Sequence, residues 1–192
     1  MPMNIRSVFI LLATVLFLSA CNHTIETNRS DKIPDFEYIT QDEKKMSLDD
    51  LTGDWWISYF SYTHCTTVCP RTTANMVGIQ EELKNDGLTP PIISFSIDPE
   101  NDTPKVLRQY AKDYGADLRT MTFLTGYDFK EIQNMSVDTF KAVLEKGALD
   151  QRSHSFFFYL INPNGEIVKQ YNGMSDPDNE LLVADVKKVL GK

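Results

Sequence analysis

The hydrophobic pattern of this chain predicts a series of buried strands. Residues 55–62 (WWISYFSY) and 90–98 (PPIISFSID) are runs of aromatic and β-branched residues, typical of strands that are covered on both faces. Residues 121–124 form a third, shorter run. Near the C-terminus, the turn Asn162-Pro163-Asn164-Gly165 separates SFFFYLI (155–161) from EIVKQY. An Asn-Gly pair between two apolar runs indicates a β-hairpin.

Between the strands, apolar positions recur at the 3.6-residue spacing of helices. One face of the first helical segment carries Met76, Ile79 and Leu83, and Gly87 ends the pattern. The second segment begins around Pro104, because a proline is tolerated in the first turn of a helix. The predicted helices cover residues 66–86, 102–115, 128–144 and 178–190.

This order of elements predicts an α/β domain with a thioredoxin-like fold. A strand-helix-strand unit is followed by a helix, a hairpin and a closing helix, so that a central mixed sheet is flanked by helices. Residues 34–48 (PDFEYITQDEKKMSL) predict a further hairpin, which extends the domain at its N-terminus. Ligands of open α/β sheets bind at the carboxyl ends of the strands. The end of residues 55–62 is therefore the first place to expect chemistry.

The first twenty residues have the pattern of a secretory signal. Arg6 is followed by an apolar run that ends in small residues and is too short for a comfortable membrane span. Leu18-Ser19-Ala20-Cys21 resembles the lipobox of bacterial lipoproteins, in which the cysteine carries the lipid. An ordinary cleaved signal with a chance cysteine is the alternative. We expect a signal peptide over 1–20, a lipid-anchored flexible tether over 21–33 and the folded domain over 34–192.

Composition and charge favour one acidic domain, which the signal and lipobox pattern would place at the extracytoplasmic face of a bacterial cell membrane. The chain is 42% hydrophobic, which suits a single domain with its own core, and we expect a monomer. Its net charge of −8 is repelled by nucleic acid and by anionic headgroups, so nucleic-acid binding is excluded and the lipid must supply the attachment. Three cysteines are too few for a disulfide scaffold.

Cys65 and Cys69 form a C-x-x-x-C pair at the end of the first core strand. Because Pro70 must lie in a first turn, we expect the helix to begin near Thr66, with both sulfurs on one side of it. A helix N-terminus also favours thiolate over thiol. The pair could be a structural disulfide, a redox couple or two metal ligands. The disulfide ranks last, since closing so short a loop constrains the unfolded chain little.

A metal site needs a further ligand, and the chain has three histidines. His23 lies in the predicted tether and is expected to be solvated. His64 adjoins Cys65, but neighbours on an extended segment point to opposite sides. His154 precedes the strand expected beside residues 55–62, near the position where thioredoxins place a cis-proline facing the cysteine pair. We favour His154 as a ligand over a loop histidine that only hydrogen-bonds to the backbone.

Two thiolates and one imidazole suit copper, because thiolates select Cu(I) and imidazole accepts either oxidation state. A three-ligand zinc site with bound water is the alternative. A structural zinc site would need a fourth protein ligand, and the sequence does not obviously supply one.

Three segments together resemble the signature segments of the Sco/SenC family: THCTTVCP, SIDPENDTP and HSFFFYLI. The resemblance covers residues 34–190. It implies that Cys65, Cys69 and His154 bind copper as Cu(I) or Cu(II). Asp98 matches an acidic residue near the family's site, although it could equally start the turn and cap the next helix.

The resemblance also implies a membrane-tethered copper chaperone rather than an enzyme with turnover. Its recipient would be the CuA centre of cytochrome c oxidase subunit II, and a copper donor would load it. The alternative is a thiol–disulfide oxidoreductase that acts on the CuA-site cysteines or on another extracytoplasmic thiol partner. Such a protein would itself depend on a thiol–disulfide reductase.

Overall fold

A mixed sheet forms the centre of the domain in the computed structural model, which describes residues 25–146 and 152–191. The strands are β1 (Asp31–Lys32), β2 (Glu37–Thr40), β3 (Lys45–Ser47), β4 (Trp56–Ser61), β5 (Ile92–Ser96), β6 (Met121–Thr125), β7 (Leu144–Lys146), β8 (Arg152–His154), β9 (Phe157–Ile161) and β10 (Glu166–Asn172). Eight of them form one sheet in the order β1-β10-β9-β4-β5-β6-β2-β3, and β7 pairs with β8 separately. Strands β4, β5 and β6 are parallel, whereas β9 runs antiparallel to β4.

Helices flank this sheet. They are α1 (Cys69–Asn85), α2 (Pro104–Asp113), α3 (Phe129–Asn134) and α4 (Asp176–Val189), and a π-helical turn (Met135–Thr139) continues α3. Side chains of α1, α2 and α4 pack with Ile57 and Tyr59 on one face of β4, while Trp56 and Phe60 belong to the core on the other face. The predicted βαβ unit (β4-α1-β5) and ββα unit (β9-β10-α4) are confirmed, as is the N-terminal hairpin β2–β3.

Two helix predictions need correction. The first helix begins at Cys69 and not near Thr66, so Cys65 lies in the preceding turn while Pro70 still occupies the first turn. The helix predicted over 128–144 ends early. After the π-helical turn, Lys141 adopts a left-handed backbone conformation (φ 53°), which a helix cannot continue, and the chain enters β7.

Residues 25–33 lie against the domain, so the boundary expected at residue 34 moves toward the N-terminus. The backbone N–H groups of Asn28 and Arg29 donate to the carbonyl oxygen of Val168 at 3.0 and 3.2 Å. Strand β1 then pairs antiparallel with β10, and Ile33 is only 1% exposed. The polar composition of this segment hid these backbone contacts.

The predicted signal peptide (1–20), Cys21 and His23 lie outside the described residues. Within residues 25–146 and 152–191, no helix combines the length and the apolar character that crossing a membrane requires.

Candidate metal centre

The two cysteines lie where β4 passes into α1. Cys65 sits in the turn after the strand, with its backbone N–H 3.4 Å from the carbonyl oxygen of Tyr62, and Cys69 is the first residue of the helix. Both are buried and carry free thiols. The backbone N–H of Cys69 donates to Sγ of Cys65 at 3.3 Å. The helix N-terminus therefore points one of its unpaired donors at the first sulfur, as expected for a site that favours thiolate.

His154 reaches the cysteines from a separate hairpin. Strands β7 and β8 place Leu144 opposite His154, and we call residues 142–146 and 152–155 the His154 arm. Nε2 of His154 lies 3.0 Å from Sγ of Cys69, and its ring contacts the ring of Tyr62 edge-on at 5.7 Å between centroids. Nδ1 lies 2.9 Å from the carbonyl oxygen of Ser155. Because a carbonyl can only accept, Nδ1 donates its proton to Ser155, and this bond keeps Nε2 facing the sulfur.

The ligand atoms of Cys65, Cys69 and His154 all lie within 4.8 Å of one another, close enough to hold one metal ion. The structure thus brings together all three predicted ligands. Two sulfurs and one nitrogen are the donor set of a soft or borderline metal. The proton on Nδ1 is held by a backbone carbonyl, an arrangement that typically orients a metal-ligating imidazole.

The two thiols differ in acidity. A hydrogen bond from Cys69 lowers the pKa of Cys65 far below the ordinary thiol value, and His154 and the backbone N–H of Cys69 act in the same direction. The same hydrogen bond, together with burial, raises the pKa of Cys69. The metal-free pair consequently holds one thiolate and one thiol. A metal that binds both sulfurs must displace the proton of Cys69.

A second group of polar residues, His64, Asp98 and Asp102, has its ligand atoms within 4.8 Å of one another. Asp98 lies 3.9 Å from Nδ1 of His64, and both of its carboxylate oxygens accept from the side chain of Asn101. The role of Asp98 in the turn is confirmed. Its role as helix cap is wrong, since the hydroxyl of Thr103 accepts from Val106 at the start of α2.

Sequence reasoning missed Asp102, which anchors the segment that leads to Cys65. Its fully buried carboxylate accepts hydrogen bonds from the hydroxyls of Thr63 and Ser96, each at 2.6 Å. It also accepts one from the backbone N–H of Thr63 at 3.3 Å. Burial raises the pKa of this carboxyl, and the nearby Asp98 adds to the effect. No local pattern signals this role, because Thr63 and Asp102 are 39 residues apart.

The SCO1/SenC family model matches residues 25–191, nearly the whole chain. The chain belongs to the SCO1/SenC family. The SCO1 protein homolog of Bacillus subtilis (strain 168) is 39% identical over 174 residues, which cover 90% of this chain and 90% of that protein. Mitochondrial relatives are longer: the chain is 28% identical to the SCO1 homolog of Homo sapiens and spans 50% of its length.

Solved structures of the family share the fold. A SCO1/SenC family lipoprotein from Bacillus anthracis has a TM-score of 0.81 and 33% identity, covering 85% of this chain and 99% of that one. BsSco, a member of the Sco family of cytochrome c oxidase assembly proteins in which a disulfide switch was identified, has a TM-score of 0.78 and 36% identity, covering 87% and 97%. ScoI of Arabidopsis thaliana, solved with copper bound, has a TM-score of 0.69 and 26% identity, covering 81% and 98%. The predicted thioredoxin-like fold and Sco/SenC membership are therefore confirmed.

Proposed function

We propose that this chain is a membrane-tethered copper chaperone that binds copper through Cys65, Cys69 and His154 and delivers it to the CuA centre of cytochrome c oxidase subunit II. The observation that carries the proposal is the meeting of two cysteines and one histidine, with Nε2 of His154 3.0 Å from Sγ of Cys69. Family membership supports the assembly role, since BsSco belongs to the cytochrome c oxidase assembly proteins.

Copper fits the donor set better than zinc does. Thiolates select Cu(I), whereas a closed structural zinc site normally has four protein ligands. Among the described residues, this position has three protein ligands. The neighbouring His64 is not a fourth, because it lies with Asp98 and Asp102 in the second group. The Arabidopsis relative solved with copper bound is consistent with this choice.

The geometry suits a site that loads and releases its cargo. The Cys65 thiolate is ready to bind, whereas the raised pKa of Cys69 means that its proton leaves only when the metal arrives. We expect copper affinity to fall as the pH drops, since protons then compete for the same sulfur. Delivery proceeds as an exchange of sulfur ligands between this pair and the recipient, without catalytic turnover.

The anchor is proposed to be a lipid on Cys21, exposed after removal of residues 1–20, on the extracytoplasmic face of the bacterial membrane. The lipobox pattern supports it, and the relative from Bacillus anthracis is a lipoprotein. An anchor of this kind holds the domain near a membrane-bound recipient. It supplies the attachment that the net charge of −8, which anionic headgroups repel, does not.

A second candidate function is thiol–disulfide exchange, favoured by the thiolate–thiol pair itself. The Cys65 thiolate would attack a partner disulfide, and Cys69 would then resolve the mixed disulfide. This leaves an intramolecular disulfide here and two reduced thiols on the partner. The disulfide switch identified in BsSco favours such chemistry. His154 has no required role in this exchange, which separates the two functions.

An anaerobic copper titration of the reduced chain, followed by absorption and EPR, tests the proposal. We expect one tightly bound copper per chain with sulfur-to-copper charge transfer, weakened by Cys65→Ala, Cys69→Ala and His154→Ala. His64→Ala is the matched control, because this exposed histidine adjoins Cys65 but lies in the other group. Weak binding that His154→Ala leaves unchanged would sink the chaperone proposal and favour thiol–disulfide exchange.

A further inference from the structure

Arg29 makes a set of hydrogen bonds that the proposed function does not use. Its guanidinium is 12% exposed and pairs with Asp31 at 2.6 Å. It also donates to Oε1 of Gln170 on β10 at 2.9 Å, and to the carbonyl oxygens of Phe140 and Thr139 at 2.9 and 3.0 Å. One half-buried side chain thus joins the N-terminal segment, the edge of the sheet and the residues that follow α3.

The two carbonyls mark the point where the chain leaves the π-helical turn for the His154 arm. The next residue, Lys141, has the left-handed conformation noted above. Two residues later, Val143 is bonded to Ser155 twice. The backbone N–H of Val143 donates to the Ser155 hydroxyl at 2.9 Å, and the Ser155 N–H donates to the Val143 carbonyl at 3.1 Å. Ser155 adjoins His154, so only a few residues separate the Arg29 contacts from the metal-binding ring.

Arginine suits this position for a physical reason. Its planar guanidinium can donate to a carboxylate, an amide oxygen and two backbone carbonyls at once, whereas a lysine ammonium has three donors at a single point. The carbonyls at a helix end also carry partial negative charge, which a cation stabilises. Loss of the guanidinium would leave a strained left-handed residue without the contacts that fix the backbone on its N-terminal side.

We propose that Arg29 is a positioning residue that fixes the base of the His154 arm and thereby couples the N-terminal segment to the geometry of the metal centre. The effect on metal binding rests on the proposed function, whereas the effect on the arm does not. Since Gln133 also donates to the Leu144 carbonyl at 3.0 Å, loss of Arg29 should loosen the arm without detaching it.

The first test uses hydrogen exchange in the reduced, metal-free full chain. In Arg29→Gln we expect the amides of Val143 and Ser155 to exchange at least about tenfold faster, while amides of the β9–β10 ladder keep the parent rate. In Arg29→Lys the exchange rates of these two amides should lie between those of the parent and those of Arg29→Gln. Arg119→Gln is the control. It also removes a guanidinium, but an exposed one that pairs with Asp117 and makes no contact with the His154 arm. Unchanged exchange at the arm, or equal acceleration across the sheet, would overturn the positioning role.

The second test measures copper release from the same variants to a competing chelator. We expect Arg29→Gln to weaken copper binding about tenfold, as loss of a residue that orients a metal ligand typically does, and to alter the charge-transfer spectrum. In a His154→Ala background the same change should have no further effect. A looser arm with unchanged copper release and spectrum would overturn the coupling. If the parent binds no copper, the proposed function fails, and hydrogen exchange still decides the positioning role.

Discussion

At the scale of single residues, the unequal acidity of the cysteine pair has a measurable consequence. Because a hydrogen bond from Cys69 lowers the pKa of Cys65, we expect Cys65 to be thiolate throughout pH 5–8 and its alkylation by iodoacetamide to be nearly independent of pH there. Cys69 should react far more slowly, since it is fully buried and its pKa is raised. Peptide mapping by mass spectrometry of the reduced, metal-free chain separates the two sites.

Cys69→Ala is the informative control for this experiment. It removes the thiol that donates to Cys65, so the pKa of Cys65 should rise toward the ordinary value of about 8.5. Alkylation at pH 6 should then slow by about tenfold or more and become steeply dependent on pH. A parent rate that already rises about tenfold per pH unit between 6 and 8 would contradict the assignment of Cys65 as the thiolate.

At the scale of elements, one buried ion pair ties α4 to the sheet. Nζ of Lys169 on β10 lies 2.7 Å from Asp185 on α4, both side chains are 11% exposed, and the hydroxyl of Tyr171 donates to the same carboxylate at 2.8 Å. We expect Asp185→Asn to lower the free energy of unfolding by about 3–5 kcal/mol in urea titrations, because it leaves Lys169 buried without its counter-charge. The exposed pair Lys45–Glu37 is the control, and Glu37→Gln should cost less than about 1 kcal/mol.

The double variant Lys169→Met/Asp185→Leu decides whether the cost comes from the orphaned charge. Apolar residues of similar size can replace a buried ion pair with little loss, so the double variant should recover most of the stability. A double variant as unstable as Asp185→Asn would instead assign the cost to packing or to the lost Tyr171 hydrogen bond.

The same scale shows what the sequence could and could not predict. The central strands were predictable because they are apolar on both faces, and β4 supplies core residues to both sides of the sheet. The end of the helix predicted over 128–144 was not, since Lys141 adopts a conformation that usually signals glycine. His154 was predicted as a ligand from its place before β9. The short hairpin that carries His154 was not predicted, because its strands show no alternation of apolar and polar residues.

At the scale of the whole molecule, docking of residues 25–33 changes how the domain relates to its proposed anchor. A tether of about 12 residues would span roughly 20 Å as a coil. Ile25 already packs against the core, and the backbone of Asn28 is bonded to Val168 on β10, so only the residues between Cys21 and Ile25 are left to act as a tether. If Cys21 carries the lipid, the edge of the sheet formed by β1 and β10 is the part of the domain held nearest the membrane.

The stability of two truncated chains tests this docking. A chain of residues 25–192 keeps the contacts of Arg29, β1 and Ile33, whereas residues 34–192 lack them all. We expect the shorter chain to unfold with a free energy lower by at least about 2 kcal/mol, because a buried isoleucine and hydrogen bonds from a charged group each contribute on that order. Urea titrations of both chains, metal-free and reduced, measure the difference.

The size of that difference can be divided between its causes by comparing Arg29→Gln and Ile33→Ala in the 25–192 chain. If docking stabilises the domain, each variant should account for part of the loss, because Arg29 and Ile33 make separate contacts. Equal stability of the two truncated chains would show that residues 25–33 add nothing to the fold, and the tether would then extend to residue 33, as the composition suggested. A loss confined to the shorter chain would instead place the N-terminal segment within the folding unit, where an anchored domain has little freedom to turn its metal centre.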